Sequence, residues 1–184
     1  MEQLKVIVSG FGGQGVLLAG QLLAYAGMIS GKHVAWVPSY GAEMRGGTAN
    51  CSVILSSKEI SSPLVEEADA LLALNGPSLE KFEPALKKGG LLLYNTSMIP
   101  GGHRREDVRA FGIPANEFAE KLGNNRVANI IMLGALAELE ESLSMESIME
   151  ALCMVLPERH HHLLPLNEEA LKTGAETVKA GVGV

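Results

Sequence analysis

The sequence predicts an α/β domain, with a mostly parallel, doubly wound sheet, helices on both faces and a helical C-terminal portion. Three observations predict it. Apolar runs such as Val6-Ile7-Val8 and Ala70–Leu74 are continuous rather than alternating, as strands buried on both faces require. The first of these runs enters a glycine-rich turn, Gly10–Gly15, that opens a helix. Aromatic residues make up only 4% of the chain, so the core must be built from Leu, Ile, Val, Ala and Met, which suits a helix-covered sheet better than a sandwich.

The elements follow in order. Leu4–Ser9 reads as the first strand. Val16–Met28 is a helix, because Leu17, Leu18, Leu22, Ala24, Tyr25 and Met28 recur at helical spacing and Ser30-Gly31 ends it. His33–Pro38 and Asn50–Ser56 are the second and third strands, a short edge piece is expected around Ile60, and Ala70–Leu74 is the next buried strand. Ser78 is the expected N-cap of a helix that reaches Lys88 and stops at Gly89-Gly90. Leu91–Asn95 and Asp107–Ile113 complete the strands. The remainder reads as helices over Asn116–Leu122, Ala128–Leu139, Met145–Leu156 and Asn167–Ala180. Ala128–Leu139 is apolar nearly all round, which calls for heavy burial or an interface.

Bulk properties narrow the function classes. A length of 184 residues fits a single domain over residues 1–184, and 20% charged residues argue against disorder. A net charge of −6 with scattered Lys and Arg provides no basic footprint for nucleic acid. No apolar run reaches the roughly 18–20 residues that cross a bilayer, and strand residues begin too early for a signal peptide, so a cytoplasmic protein is expected. Cys51 and Cys153 lie far apart in apolar surroundings, without metal or cluster spacing, and read as two buried thiols.

Gly10-x-Gly12-x-x-Gly15 has the letters and the context of a dinucleotide-binding turn, with Gly13 and Gln14 inside it. Helix N-terminal amides there favour an anion. The acidic residue expected about 20 residues on is missing, since the second strand runs into Val37-Pro38-Ser39-Tyr40, and Val16-Leu17-Leu18 excludes a P-loop. Two readings stand: glycines that only let helix and strand pack closely, or a site for an anion or cofactor tail.

The second polar loop, Ser39–Thr48, carries Tyr40, Gly41, Glu43, Met44, Arg45, Gly46 and Gly47. Glu43 and Arg45 form either a surface ion pair or a presented arginine whose planar fork suits a carboxylate or phosphate. In a parallel sheet this loop and the glycine turn should leave the same edge. Ser9, Ser39 and Ser52 have no histidine near in sequence, so no catalytic residue is assigned. His160-His161-His162, taken as an extended connector, would point in different directions, and no metal site is assigned.

Gly10–Val16, Ala19-Gly20, Pro38–Asn50 and Ser61-Ser62-Pro63 together resemble the gamma subunit of the 2-oxoacid:ferredoxin oxidoreductases. The spelling around Tyr40–Asn50 is most similar to the 2-oxoglutarate (KorC-type) branch. Indolepyruvate oxidoreductase subunits share part of both loops. The resemblance implies a subunit that is inactive alone, within a complex that decarboxylates a 2-oxoacid, forms an acyl-CoA and passes electrons to ferredoxin. It implies that thiamine diphosphate and iron–sulfur clusters sit mainly in alpha, beta and delta-type partner subunits, with none bound by this chain alone. It places Tyr40, Glu43, Arg45, Gly46 and Gly47 near the substrate and CoA; Gly10, Gly12, Gly13, Gln14 and Gly15 stay the cofactor-binding candidates of the glycine turn itself. Isolated, such a chain could form a homodimer, and Ala128–Leu139 is one candidate for its free apolar surface. The rival reading is a free-standing nucleotide-binding protein that uses Gly10–Gly15.

Overall fold

The structure, a computed structural model, describes residues 2–39 and 48–181. The strands β1 (Gln3–Phe11), β2 (His33–Ser39), β3 (Thr48–Ser56), β4 (Ala68–Ala73), β5 (Leu86–Asn95) and β6 (Arg109–Ile113) form one sheet of order β2-β3-β1-β4-β5-β6. The helices are α1 (Val16–Ile29), α2 (Gly76–Phe82), α3 (Ala115–Lys121), α4 (Ala128–Leu139), α5 (Met145–Val155) and α6 (Leu164–Lys179).

The pairs β1–β4, β4–β5 and β5–β6 are parallel, as expected. β3 lies between β1 and β2 and runs antiparallel to both. The reason is chain length: residues 40–47 are too few for the crossover of a dozen or more residues that parallel neighbours need, so β2 and β3 pair as a hairpin. β1 and β2 consequently still point the same way.

Alternate residues of each strand serve two cores, which explains the continuous apolar runs. Leu4, Val6, Val8, Val53, Leu72 and Leu93 face α1, α3, α4, α5 and α6. Ile7, Leu71, Ala73 and Leu92 face Leu79 of α2 and Ile99 on the other side. Helices therefore cover both faces, unequally.

α4 is buried along Asn129–Leu136, so it is core, and the expectation that it presents a free apolar surface is corrected. Its partner is α6. The two backbones touch through glycines: a Cβ at Gly134 would collide with the Leu171 carbonyl, and one at Gly174 with that of Ile131. Among the described residues the large apolar side chains that are exposed are Met28, Val37, Leu64, Met98 and Met154.

Four local expectations are also corrected. Residues 57–67 form no strand, so the piece around Ile60 is irregular chain. The cap of α2 is Asn75, whose side chain accepts from the Ser78 amide at 2.9 Å, and Ser78 sits inside the first turn. Gly89-Gly90 does not end a helix; it lies within β5, where Gly89 has φ 74° and the pairing with β4 shifts register. Cys153 is exposed on α5, whereas Cys51 is buried and burial pushes its thiol up to about 11. No helix among the described residues is long and apolar enough to cross a membrane.

At the amino edge of the sheet Glu140 is only 8% exposed, and it helps line a cavity of about 150 Å³ with Asp69, Lys87 and Arg109. Burial raises its pKa above the ordinary 4.5, and Arg109 opposes the rise. A carboxyl that prefers its neutral form when folded contributes stability that is full below 4.5 and lost as pH rises through the higher folded value. Glu140→Gln should therefore raise the urea midpoint at pH 7, with the gain vanishing below about pH 4.5. Gly134→Ala or Gly174→Ala should lower stability by about 3 kcal/mol or more, read from the same urea curves, because backbone cannot give way as a side chain does.

Candidate functional site

The sheet register brings the two loops to one rim. Phe11, the last residue of β1, stands opposite Thr48 at the start of β3, and Ser39 at the end of β2 stands opposite Asn50. The Gly10–Gly15 turn and the connection from Ser39 to Thr48 thus leave the same carboxyl-terminal edge. Tyr40, Glu43, Arg45, Gly46 and Gly47 lie outside the described residues, and only the ends that hold them are placed.

The same rim holds a topological switch point. The connection from β1 passes through α1, which packs towards β3 and β2, while that from neighbouring β4 passes through α2 on the opposite face. Between such diverging connections an open α/β sheet leaves a crevice, and ligands of these folds bind there.

The glycine turn borders that crevice. Gly13 has φ 95° and Gly15 φ 73°, a backbone region where side chains other than glycine are strained. Gly15 is also the N-cap of α1, without a side-chain cap, and its carbonyl accepts from Asn129 Nδ2 of α4 at 3.1 Å. A Cβ at Gly15 would strike the Asn129 amide, so this glycine serves close approach as well as conformation.

Gln14 closes the turn on itself. Its Oε1 accepts from the Phe11 amide at 2.6 Å and from Asn75 Nδ2 at 3.0 Å, while its Nε2 donates to the Leu74 carbonyl at 3.4 Å. One side chain thereby ties the turn after β1 to the turn after β4. The Phe11 amide is occupied from within, so the turn does not present it to a ligand.

Further carboxamides, which sequence reasoning missed, continue the rim. Asn95, fully buried at the end of β5, donates to the Leu74 carbonyl at 3.4 Å and to Asn116 Oδ1 at 2.7 Å, and accepts from the Ala115 amide at 3.2 Å. Asn124 closes the C-terminal turn of α3, its amide donating to the Ala119 carbonyl at 3.0 Å, and its side chain accepts from the Arg126 amide at 3.0 Å ahead of α4. A cavity of about 140 Å³ opens between Gly13, Gln14, Asn95, Asn116, Asn125 and Arg126. One signal was available: Asn75-Gly76-Pro77 has an N-cap residue just before a proline suited to a first turn.

The other sequence candidates are dispersed. Ser9 is buried with its hydroxyl towards the Ala49 carbonyl at 3.4 Å. His33 opens β2 opposite Ser56 at the far edge, and His103 stands edge-on to Tyr94 at 5.6 Å between centroids. His160–His162 lie in a 3-10 turn, Glu158–Leu163, rather than an extended connector; His161 and His162 contact the carbonyls of Leu156 and Arg159. Among the described residues no three His, Cys, Asp or Glu side chains are grouped to hold a metal ion.

Comparison with known proteins gives this rim a context. The family model described as pyruvate ferredoxin/flavodoxin oxidoreductase matches residues 5–177. The chain belongs to that family. Within it, the ketoisovalerate oxidoreductase subunit VorA of Methanothermobacter thermautotrophicus is 40% identical over 98% of this chain, which spans only 37% of that protein's length. The 2-oxoglutarate synthase subunit KorC of the same organism is 34% identical, with 96% of each chain covered. The gamma subunit of a keto/oxoacid ferredoxin oxidoreductase from Geobacter sulfurreducens superposes with a TM-score of 0.83 at 31% identity, over 96% of this chain and 99% of that one. Family relatives are thus subunits of oxidoreductases, some as separate chains of this length and some as part of longer ones.

Gln14→Ala should cost about 1–3 kcal/mol in urea unfolding, because it strands the Phe11 amide and the Asn75 side-chain amide, while the Leu74 carbonyl keeps Asn95.

Proposed function

We propose that this chain is the gamma subunit of a 2-oxoacid:ferredoxin oxidoreductase. The complex would decarboxylate a 2-oxoacid, transfer the acyl group to CoA and pass the electrons to ferredoxin. The observation that carries this reading is end-to-end likeness at the same length: a KorC subunit and a solved gamma subunit are each covered almost completely.

The division of labour suits the residues. Thiamine diphosphate and iron–sulfur clusters would be held by the alpha, beta and delta-type partners, and this chain would supply shape and positive charge at the carboxyl rim. Arg45, between Glu43 and Gly46-Gly47, has the fork geometry for a carboxylate or phosphate of the 2-oxoacid or CoA, and Tyr40 would border the same group. Gly10, Gly12, Gly13, Gln14 and Gly15 would shape the adjoining wall. Two substrates compete. The spelling of Tyr40–Asn50 favours 2-oxoglutarate, whereas 40% identity to a ketoisovalerate subunit against 34% to a 2-oxoglutarate subunit favours a branched acid.

Co-expression with alpha, beta and delta-type subunits tests the reading. The purified complex should reduce ferredoxin only with a 2-oxoacid and CoA, and a panel containing 2-oxoglutarate, 2-oxoisovalerate, pyruvate and indolepyruvate identifies the substrate. Arg45→Ala should lower kcat/KM for CoA or the 2-oxoacid about tenfold or more, the loss of one charge-assisted contact. Failure of the chain to join any such complex, or unchanged turnover when it is left out, would reject the assignment.

A further inference from the structure

In the crevice beside the glycine turn, Asn95, Asn116, Asn125 and Arg126 have no role in the family reading. Its wall carries Gln14, Asn95, Asn116, Asn125 and Arg126, and among the described residues no aspartate or glutamate lines it. What these side chains offer follows from their internal bonds. Gln14 Oε1 is engaged by Phe11 and Asn75, Asn95 Oδ1 by Ala115, and Asn116 Oδ1 by Asn95. Their acceptor oxygens are committed inside the protein, and each carboxamide has two N–H donors. Only one donor of Gln14 is used, towards the Leu74 carbonyl. The orientation of Asn116 is fixed by a partner that cannot turn, since Asn95 is fully buried and bonded through both ends of its amide. Its NH2 group is left for the crevice. Arg126 adds a guanidinium, with donors only.

A small cavity furnished with donors and one permanent positive charge selects for an oxyanion. A cation would find no carboxylate, and an apolar group would strand the amides. Size narrows the choice further. At about 140 Å³ the space equals four or five water volumes of about 30 Å³ each, enough for a phosphate or carboxylate group but not for a nucleoside. Asn125 and Arg126 are exposed, so the remainder of a larger ligand would leave through the mouth they form.

We propose that the crevice between the Gly13-Gln14 turn and Asn125-Arg126 is an oxyanion site, taking the phosphate or carboxylate group of a ligand whose body lies outside it. The site is a property of this chain alone and does not depend on the oxidoreductase assignment.

The test is a titration of the full chain followed by backbone amide resonances, at constant ionic strength held with sodium chloride. Inorganic phosphate should shift Gly13, Asn116, Asn125 and Arg126 saturably. Arg126→Gln and Asn125→Ala change exposed side chains; the first should weaken phosphate at least about tenfold, with thermal midpoints close to that of the parent chain. Parallel titrations with CoA and with 2-oxoglutarate identify the source: the ligand that binds more tightly than phosphate and competes with it owns the site. No saturable shift with phosphate, CoA or 2-oxoglutarate, or equal affinity in the Arg126→Gln chain, would overturn the proposal. Because the measurement needs no partner subunit, that failure is separate from failure of the complex to assemble.

Discussion

β3 is paired along its whole length to β1, from Gln3 opposite Ser56 to Phe11 opposite Thr48, and this antiparallel register sets what the carboxyl edge can be. A slip of one residue would exchange the two faces of β3, moving Cys51, Val53 and Leu55 out of the helix-covered core. Correct pairing is therefore enforced by burial, and the position of the second loop follows from it. The hairpin returns the chain to a point beside the end of β1, so its connection and the glycine turn emerge as neighbours even though their strands are separated by another. Around that fixed edge the switch point between β1 and β4 opens, with Gln14 bridging it.

Much of this architecture could be read from composition and pattern. The buried strands were legible because both faces of the sheet are covered, which makes Val6-Ile7-Val8 and Leu71-Leu72-Ala73 apolar at every position. Ala128–Leu139 was legible to the residue, since a helix that is apolar all round has few places to be. The direction of β3 was not, because an apolar strand carries no mark of its orientation and only the shortness of residues 40–47 hints at a hairpin. Gly89-Gly90 misled for a similar reason: the same dipeptide stops a helix or permits an irregular strand, and the pairing with β4 decides. The site divided in the same way. The glycines announced a turn, while the carboxamides of Asn75, Asn95 and Asn116 come from three separate stretches and become a group only when the sheet aligns their strands.

Little in the described part of the chain is equipped for bond-making. Ser9 is enclosed beside a carbonyl, and the Cys51 thiol is held in its neutral form by burial. What the rim supplies is rigid polarity: amide groups whose acceptors are spoken for, and a guanidinium at the mouth.

The glycine contacts between α4 and α6 have a mechanical consequence. With no side chains between them at Gly134 and Gly174, the two helices have no slack and behave as one stiff beam. Asn129, at the N-terminal end of that beam, is bonded to the carbonyl of Gly15. A displacement of the C-terminal helix is therefore carried by α4 to Asn129, whose amide meets the turn where β1 becomes α1.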